Sequence, residues 1–478
     1  MTARLLIDNA EVVLTVDPDD RVLTGQSIVV EDGRIAALGP ADVIARRYQG
    51  VAFDEVIPGR GRLVMPGFVD AHVHFSEQLV RGVFPDTLST RPWVFNWAKP
   101  VYAAMQPDDE YVATLLAGIE MIKTGTTCAL DMGAQSDVGA VVRALERVGV
   151  RAVTGRHAAD RPPRTLPPHW TREMVERHFF PSAEAALAEL ERCVRQYHQS
   201  AGGRIRVWVN IEGKEPCSPE LHAGAPALAR RLGVGTTYHI ASSIEEAEGS
   251  QRRTGQWPVT LLRQWGALQD NLVLAHVVAV RDEEIGYLAE AGTKVAFCPG
   301  TALKLAKGAT RIGKYPEMLG AGITVALGCD GPSAAGSLDM LRQTYLAAGL
   351  FKDARMDATL VGARRALRMA TIDGARALLW DDEIGSVEVG KRADLVLFNL
   401  DDCDWVPYGD PVQTLVYSAS VGSVHTVMID GRVVMRDRRI LTVDEHEVYA
   451  LAREHARRVV ERAGIRPGVT PLVTTSYD

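Results

Sequence analysis

Five residues able to bind a cation or carry a proton stand at the ends of separate apolar segments. His72 and His74 lie in MPGFVDAHVHF, His239 ends GTTYHI's core, His276 closes LVLAH, and Asp330 ends ITVALGCD. Side chains two apart on a strand point to the same side, so His72 and His74 can converge on one ion. Imidazole nitrogens joined by a carboxylate suit zinc, and also cobalt, iron or manganese. Such a cation brings the pKa of bound water to about 7, and a carboxylate beside that water can pass its proton to a leaving amine. His276, neutral or protonated, can steady the oxygen that becomes negative as carbon is attacked. A lone histidine is more often structural, and the metal reading rests on all five standing at segment ends. His157, just after RAVTGR, is placed to meet substrate or to complete a rim. His169, His178, His198, His222, His425, His446 and His455 are expected to be surface or packing residues.

The segments that must position these residues alternate with amphipathic stretches. Eight strands are expected at 68–73, 126–131, 151–156, 204–211, 235–240, 272–277, 294–299 and 323–330, with helices such as DDEYVATLLAGIEMIKTG and DEEIGYLAEAG between them. That rhythm predicts an α/β fold, a (β/α)₈ TIM-like barrel whose site lies at the C-terminal strand ends. A doubly wound sheet fits less well, because no GxGxxG loop follows an early strand. Outside the barrel, short strands at 5–39 and 393–441 carry Asp32-Gly33 and Asp430-Gly431 as tight hairpin turns. The expected organisation is a β-sandwich built from both termini (1–66 and 385–441), a catalytic barrel over 67–384, and a C-terminal helix and tail over 442–478. The helix could pack on its own barrel or on a neighbour.

Composition narrows the function. The 478 residues carry 53 Lys+Arg against 60 Asp+Glu, a net charge of −7, which disfavours nucleic acid as a partner. The six cysteines are widely spaced, which suggests a reducing cytoplasm. No apolar run suggests a signal peptide or a membrane span.

The set PGFVDAHVH, TYH, LAH and GCDG, with GKRADLVLF near the end, resembles the amidohydrolase superfamily, in the branch holding cytosine deaminase and the s-triazine hydrolases. The resemblance implies one divalent metal, zinc first, with cobalt, iron or manganese as alternatives. It implies His72, His74, His239 and Asp330 as ligands, His276 as the residue that orients or polarises substrate, and attack by metal-bound hydroxide with Asp330 as proton acceptor. A homo-oligomer acting on a small molecule is expected. Lys214 stands where some relatives carry a metal-bridging lysine, but this branch implies one metal.

One departure shapes the substrate reading. Deaminases of the branch carry HxHxxE at the fifth strand, where this chain has Thr237-Tyr238-His239-Ile240-Ala241-Ser242. A hydroxyl is a poor general acid for a ring nitrogen, and Glu245 and Glu246 come three or four residues too late. The expectation is therefore hydrolysis of a urea, carbamate or thiocarbamate, near the phenylurea and molinate hydrolases. The alternative is a ring aminohydrolase acting on a pyrimidine, s-triazine or related heterocycle. A metal-stabilised barrel without catalysis is the third reading, disfavoured by the complete ligand set. Gln78, Trp93, Trp97, Arg156, His157 and His276 are expected to contact substrate, with Phe95 sharing the aromatic entrance.

Overall fold

Short strands precede the barrel: β1 (Arg4–Leu14), β2 (Val22–Glu31), β3 (Arg34–Pro40), β4 (Glu55–Pro58) and β5 (Arg62–Pro66). The computed structural model describes residues 4–166 and 170–466, so His169 and the tail after 466 lie outside the described residues. All eight expected barrel strands form. They are β6 (Phe68–Val73), β7 (Thr126–Asp131), β8 (Arg151–Thr154), a fourth strand in two pieces, β9 (Ile205–Val207) and β10 (Val209–Gly213), then β11 (Thr236–Ile240), β12 (Leu272–His276), β13 (Lys294–Phe297) and β14 (Val325–Leu327). The run β6 to β9 and the run β10 to β14 each pair in chain order, and every pair is parallel. Where the last strand meets the first, the Asp330 N–H donates to the His72 carbonyl at 2.8 Å. The strands are covered on both sides, which is why they read as nearly continuous apolar runs.

After the barrel come β15 (Leu395–Asn399), β16 (Val424–Ile429), β17 (Arg432–Arg436) and β18 (Arg439–Ile440). They join the N-terminal strands in one nine-stranded sheet, ordered β18-β17-β16-β15-β5-β1-β2-β3 with β4 beside β1. Alternation divides its two faces. Ile7, Val13, Ile28, Val64, Leu395 and Leu397 form the sheet's own core. Val12, Leu14, Leu63, Met65, Val396 and Phe398 instead belong to the barrel's core. The two Asp-Gly turns meet: both residues of each have positive φ, as a type I′ turn requires, and a Cβ on Gly33 would lie 2.7 Å from the Asp430 carbonyl oxygen.

The helix Glu445–Arg462 packs on its own barrel. It buries Ala452 and Val459 among residues of the first barrel segments, and His455 Nδ1 meets Asp109 Oδ1 at 2.7 Å. Among the described residues, no helix is long and apolar enough to cross a membrane. The cysteines are free, five of them buried.

Candidate active site

The five strand-end residues converge. His74 Nε2 and His239 Nε2 are 3.1 Å apart. Asp330 Oδ1 lies 3.6 Å from His72 Nε2 and 3.5 Å from His74 Nε2, and Oδ2 lies 3.7 Å from His276 Nε2. His239 Nδ1 donates to the Glu212 carbonyl, which leaves a bare lone pair on Nε2 facing His74. Both ring nitrogens of His72 and Nδ1 of His74 are buried without a hydrogen-bond partner among the described residues. Unpartnered imidazole nitrogens crowded around one carboxylate are a donor set that a divalent cation satisfies, so His72, His74, His239 and Asp330 fit a metal.

Electrostatics agree with that fit. Burial pushes His74 and His276 well below the ordinary histidine range and takes His239 to about 4, favouring the neutral rings that bind metal. Burial alone would raise Asp330. The close approach of His72, then of His276 and His74, outweighs it and holds the carboxyl well below the usual range.

The loops that carry these groups are strained. Ala241, His276, Val277 and Asp330 all have positive φ, at 49°, 73°, 54° and 66°. For a β-branched residue such as Val277 this is a genuine outlier, and strain of this kind gathers where surrounding structure holds a functional geometry. Two buried acids brace the strand ends. Asp70 Oδ1 accepts the N–H groups of His72 (3.1 Å) and Cys329 (3.0 Å), tying β6 to the loop after β14. Asp131 accepts from the Phe75 N–H at 3.1 Å and the Thr154 hydroxyl at 2.7 Å.

A cavity of about 310 Å³ opens onto the cluster. Trp93, Phe95, Tyr102 and Leu305 supply apolar wall, while His157, Glu212, Ser242, Glu246 and Lys307 supply polar atoms. His157 Nδ1 meets the Gln135 amide, and its buried Nε2 has no partner among the described residues. Thus Trp93, His157 and His276 stand at the cavity.

Three expected substrate contacts are corrected. Gln78 does not line the cavity: its amide donates to Glu120 at 2.8 Å and accepts from Arg81 at 2.6 Å, while its neighbour Glu77 is fully buried and accepts from the Tyr102 and Ser333 hydroxyls. Trp97 is core, fully buried beside Phe84 with ring centres 5.6 Å apart. Arg156 also turns away from the cavity, donating to the carbonyls of Ala134 and His157 at 2.6 and 3.1 Å. Nearby Asp160 accepts from the N–H and the hydroxyl of Ser218. Lys214 lines the cavity and pairs with Glu215 at 2.8 Å.

Other participants escaped sequence reasoning. Glu246 folds back: one oxygen accepts the Ala241 N–H at 2.9 Å, and the other accepts the Ser242 N–H at 2.8 Å and the Ser242 hydroxyl at 2.9 Å. A carboxylate therefore does reach the third position after His239, through the Ser242 hydroxyl. His178, expected on the surface or in packing, is buried with Glu212 at 2.8 Å, and Lys99 bonds the same carboxylate. Lys307 puts its ammonium 3.3 Å from His276 Nε2. The Ser243-x-x-Glu246 spacing was a legible sign of a helix start that returns its glutamate, whereas nothing local marks Lys307.

A model of the amidohydrolase family matches residues 63–434. The chain belongs to that family. Like the resemblance read from its motifs, this makes it a metal-dependent hydrolase with a TIM-like barrel. This amidohydrolase is 36% identical over 458 residues to a 5-methylthioadenosine/S-adenosylhomocysteine deaminase of Desulforudis audaxviator, covering 96% of this chain and 99% of the relative. It is also similar to an adenosine deaminase of Xanthomonas campestris solved with bound zinc, at 29% identity and a TM-score of 0.83 over 96% and 99% of the two chains. A zinc complex of atrazine chlorohydrolase from Arthrobacter aurescens shares the fold, with a TM-score of 0.84 at 24% identity over 95% and 100% of the chains. The two deaminases, not the urea and thiocarbamate hydrolases of the expectation, are the relatives above that share more than a quarter of their residues with this chain.

Proposed function

We propose that this amidohydrolase removes the amino group of a purine or a related amino-substituted nitrogen heterocycle, releasing ammonia and leaving a ring carbonyl. The observation that carries this reading is the Glu246 carboxylate bonded to the Ser242 hydroxyl on the cavity wall. An aromatic amidine carbon resists attack until the neighbouring ring nitrogen accepts a proton. Ser242 alone could not deliver one, but Glu246 in its protonated form can pass one through the hydroxyl and recover it from the added hydroxyl group as the ring carbonyl forms. The curated deaminase relatives support the same class.

A divalent cation held by His72, His74, His239 and Asp330, zinc being the first expectation, would supply the Lewis acidity that lets water lose a proton at neutral pH. Asp330 takes that proton and hands it to the departing amine. Trp93, Phe95 and Tyr102 offer apolar surface to a planar ring, and His157 Nε2 is available to a polar ring substituent. Ser242 itself favours a second reading, carbonyl hydrolysis, because a urea or carbamate needs no ring protonation.

The test is a substrate panel of aminopurine nucleosides, aminopyrimidines, aryl ureas and thiocarbamates, with and without chelator. We expect ammonia from one or more heterocycles, lost on chelation and restored by zinc, cobalt or manganese. Amine or thiol with carbon dioxide from the carbonyl substrates, and no ammonia from any ring, would overturn the proposal.

A further inference from the structure

Lys307 occupies the turn after the helix Pro299–Lys304, which follows β13. Its backbone N–H bonds the Ala302 carbonyl at 3.0 Å, and the residues on either side, Ala306 and Gly308, have φ of 50° and 78°. Two left-handed residues in so short a turn, one of them bearing a Cβ, aim the lysine inward rather than along the surface. The side chain is 5% exposed and ends in the cavity. Burial lowers the ammonium pKa from its ordinary range, and Asp330, Glu246 and Glu77 lie within electrostatic reach and counter part of that cost.

The contact with His276 assigns roles. A nitrogen pair at 3.3 Å needs one donor and one acceptor, and an ammonium has only donors. His276 Nε2 is therefore the lone-pair partner, and the same atom cannot also donate to substrate. Two N–H bonds of Lys307 remain for other acceptors. We propose that Lys307 is the catalytic cation of this site, donating to the oxygen of the tetrahedral carbon on which negative charge develops, while His276 is a positioning residue that holds the ammonium. The inference rests on the hydrolytic reading and not on the choice between ring and carbonyl substrates: in a urea or carbamate that oxygen is the former carbonyl oxygen, and in a ring it is the added hydroxyl as it gives up its proton to become the ring carbonyl. No bond to Lys307 forms or breaks; its ammonium contributes as a fixed charge already aimed at the place where charge develops.

Lys307→Met, close in length and without charge, is expected to lower kcat by about 10²–10³-fold, the usual effect of removing one such donor, with KM and bound metal near wild type. Lys307→Arg should keep part of the rate. Added propylamine should partly restore Lys307→Ala, a rescue that a merely structural lysine would not give. The inference is overturned by a kcat for Lys307→Met within threefold of wild type, or by a loss matched by an equal loss of metal. If the wild type turns over no member of the panel, the proposed function fails instead. Histidine ¹⁵N spectra of the metal-loaded protein then decide the role of Lys307: an unprotonated His276 Nε2 supports it, and a protonated Nε2 overturns it.

Discussion

At the scale of single residues, the site depends on where protons can go. Asp330 lies 3.5–3.7 Å from His72, His74 and His276, where its carboxylate can accept a proton from water. Glu246 has the complementary task of giving one through Ser242. Glu246→Gln keeps one acceptor oxygen, loses the one that serves the other of the Ala241 and Ser242 N–H groups, and cannot deliver a proton. We expect ammonia release per folded molecule to fall by about 10²–10⁴-fold, the range for loss of a general acid, with a melting temperature lowered by the lost hydrogen bond. Steady-state rates and a thermal melt check this. Deamination within a few-fold of wild type would remove Glu246 from the chemistry and favour carbonyl hydrolysis.

Between elements, buried acids fasten loops to the barrel. Glu110, near the start of the helix Pro107–Lys123, accepts the N–H groups of Gln135 and Ser136 at 2.6 and 3.0 Å, and Gln135 in turn holds His157. Burial raises the Glu110 carboxyl to about 8 from its ordinary 4.5, against the backbone hydrogen bond from Gln135. The folded state thus keeps a proton that the unfolded chain has released. Its contribution to stability is full below about pH 4.5, falls as pH rises towards 8, and levels off above it. Glu110→Gln preserves the acceptor oxygen and removes the titration. The difference in stability should move in favour of Gln between pH 5 and pH 8, at no more than about 1.4 kcal/mol per pH unit. Urea unfolding at several pH values measures it, and parallel curves for the two proteins would refute it.

For the whole molecule, the sheet and the barrel are joined by a buried ion pair. Arg151, at the start of β8, makes two bonds to Asp394, at 2.7 and 3.0 Å, and a third contact to Asp430 at 3.3 Å. Arg151 and Asp394 side chains are each 2% exposed. The pair lies at the opposite end of β8 from the catalytic cavity, where barrels carry stability rather than chemistry. Asp394→Ala would leave a buried guanidinium with only part of its partner charge, and should cost about 3–5 kcal/mol. Denaturant midpoints should show that loss, while kcat per folded molecule stays near wild type. A change within about 0.5 kcal/mol would mean that the joint relaxes around the lost carboxylate.

Strand periodicity made much of this protein legible from its sequence. A residue's side on a strand follows from its place in the alternation, so His72, His74, His239, His276 and Asp330 could be placed at one end of a barrel before any coordinates. The Asp-Gly turns were equally local, although their mutual contact was not. Loops follow no such period. Only the tertiary structure decided that Glu246 returns to Ser242, that Lys307 turns inward, and that Gln78, Trp97 and Arg156 turn away from the cavity. Those directions depend on a few left-handed backbone angles and on partners up to 42 residues distant, neither of which the alternation of a single segment specifies.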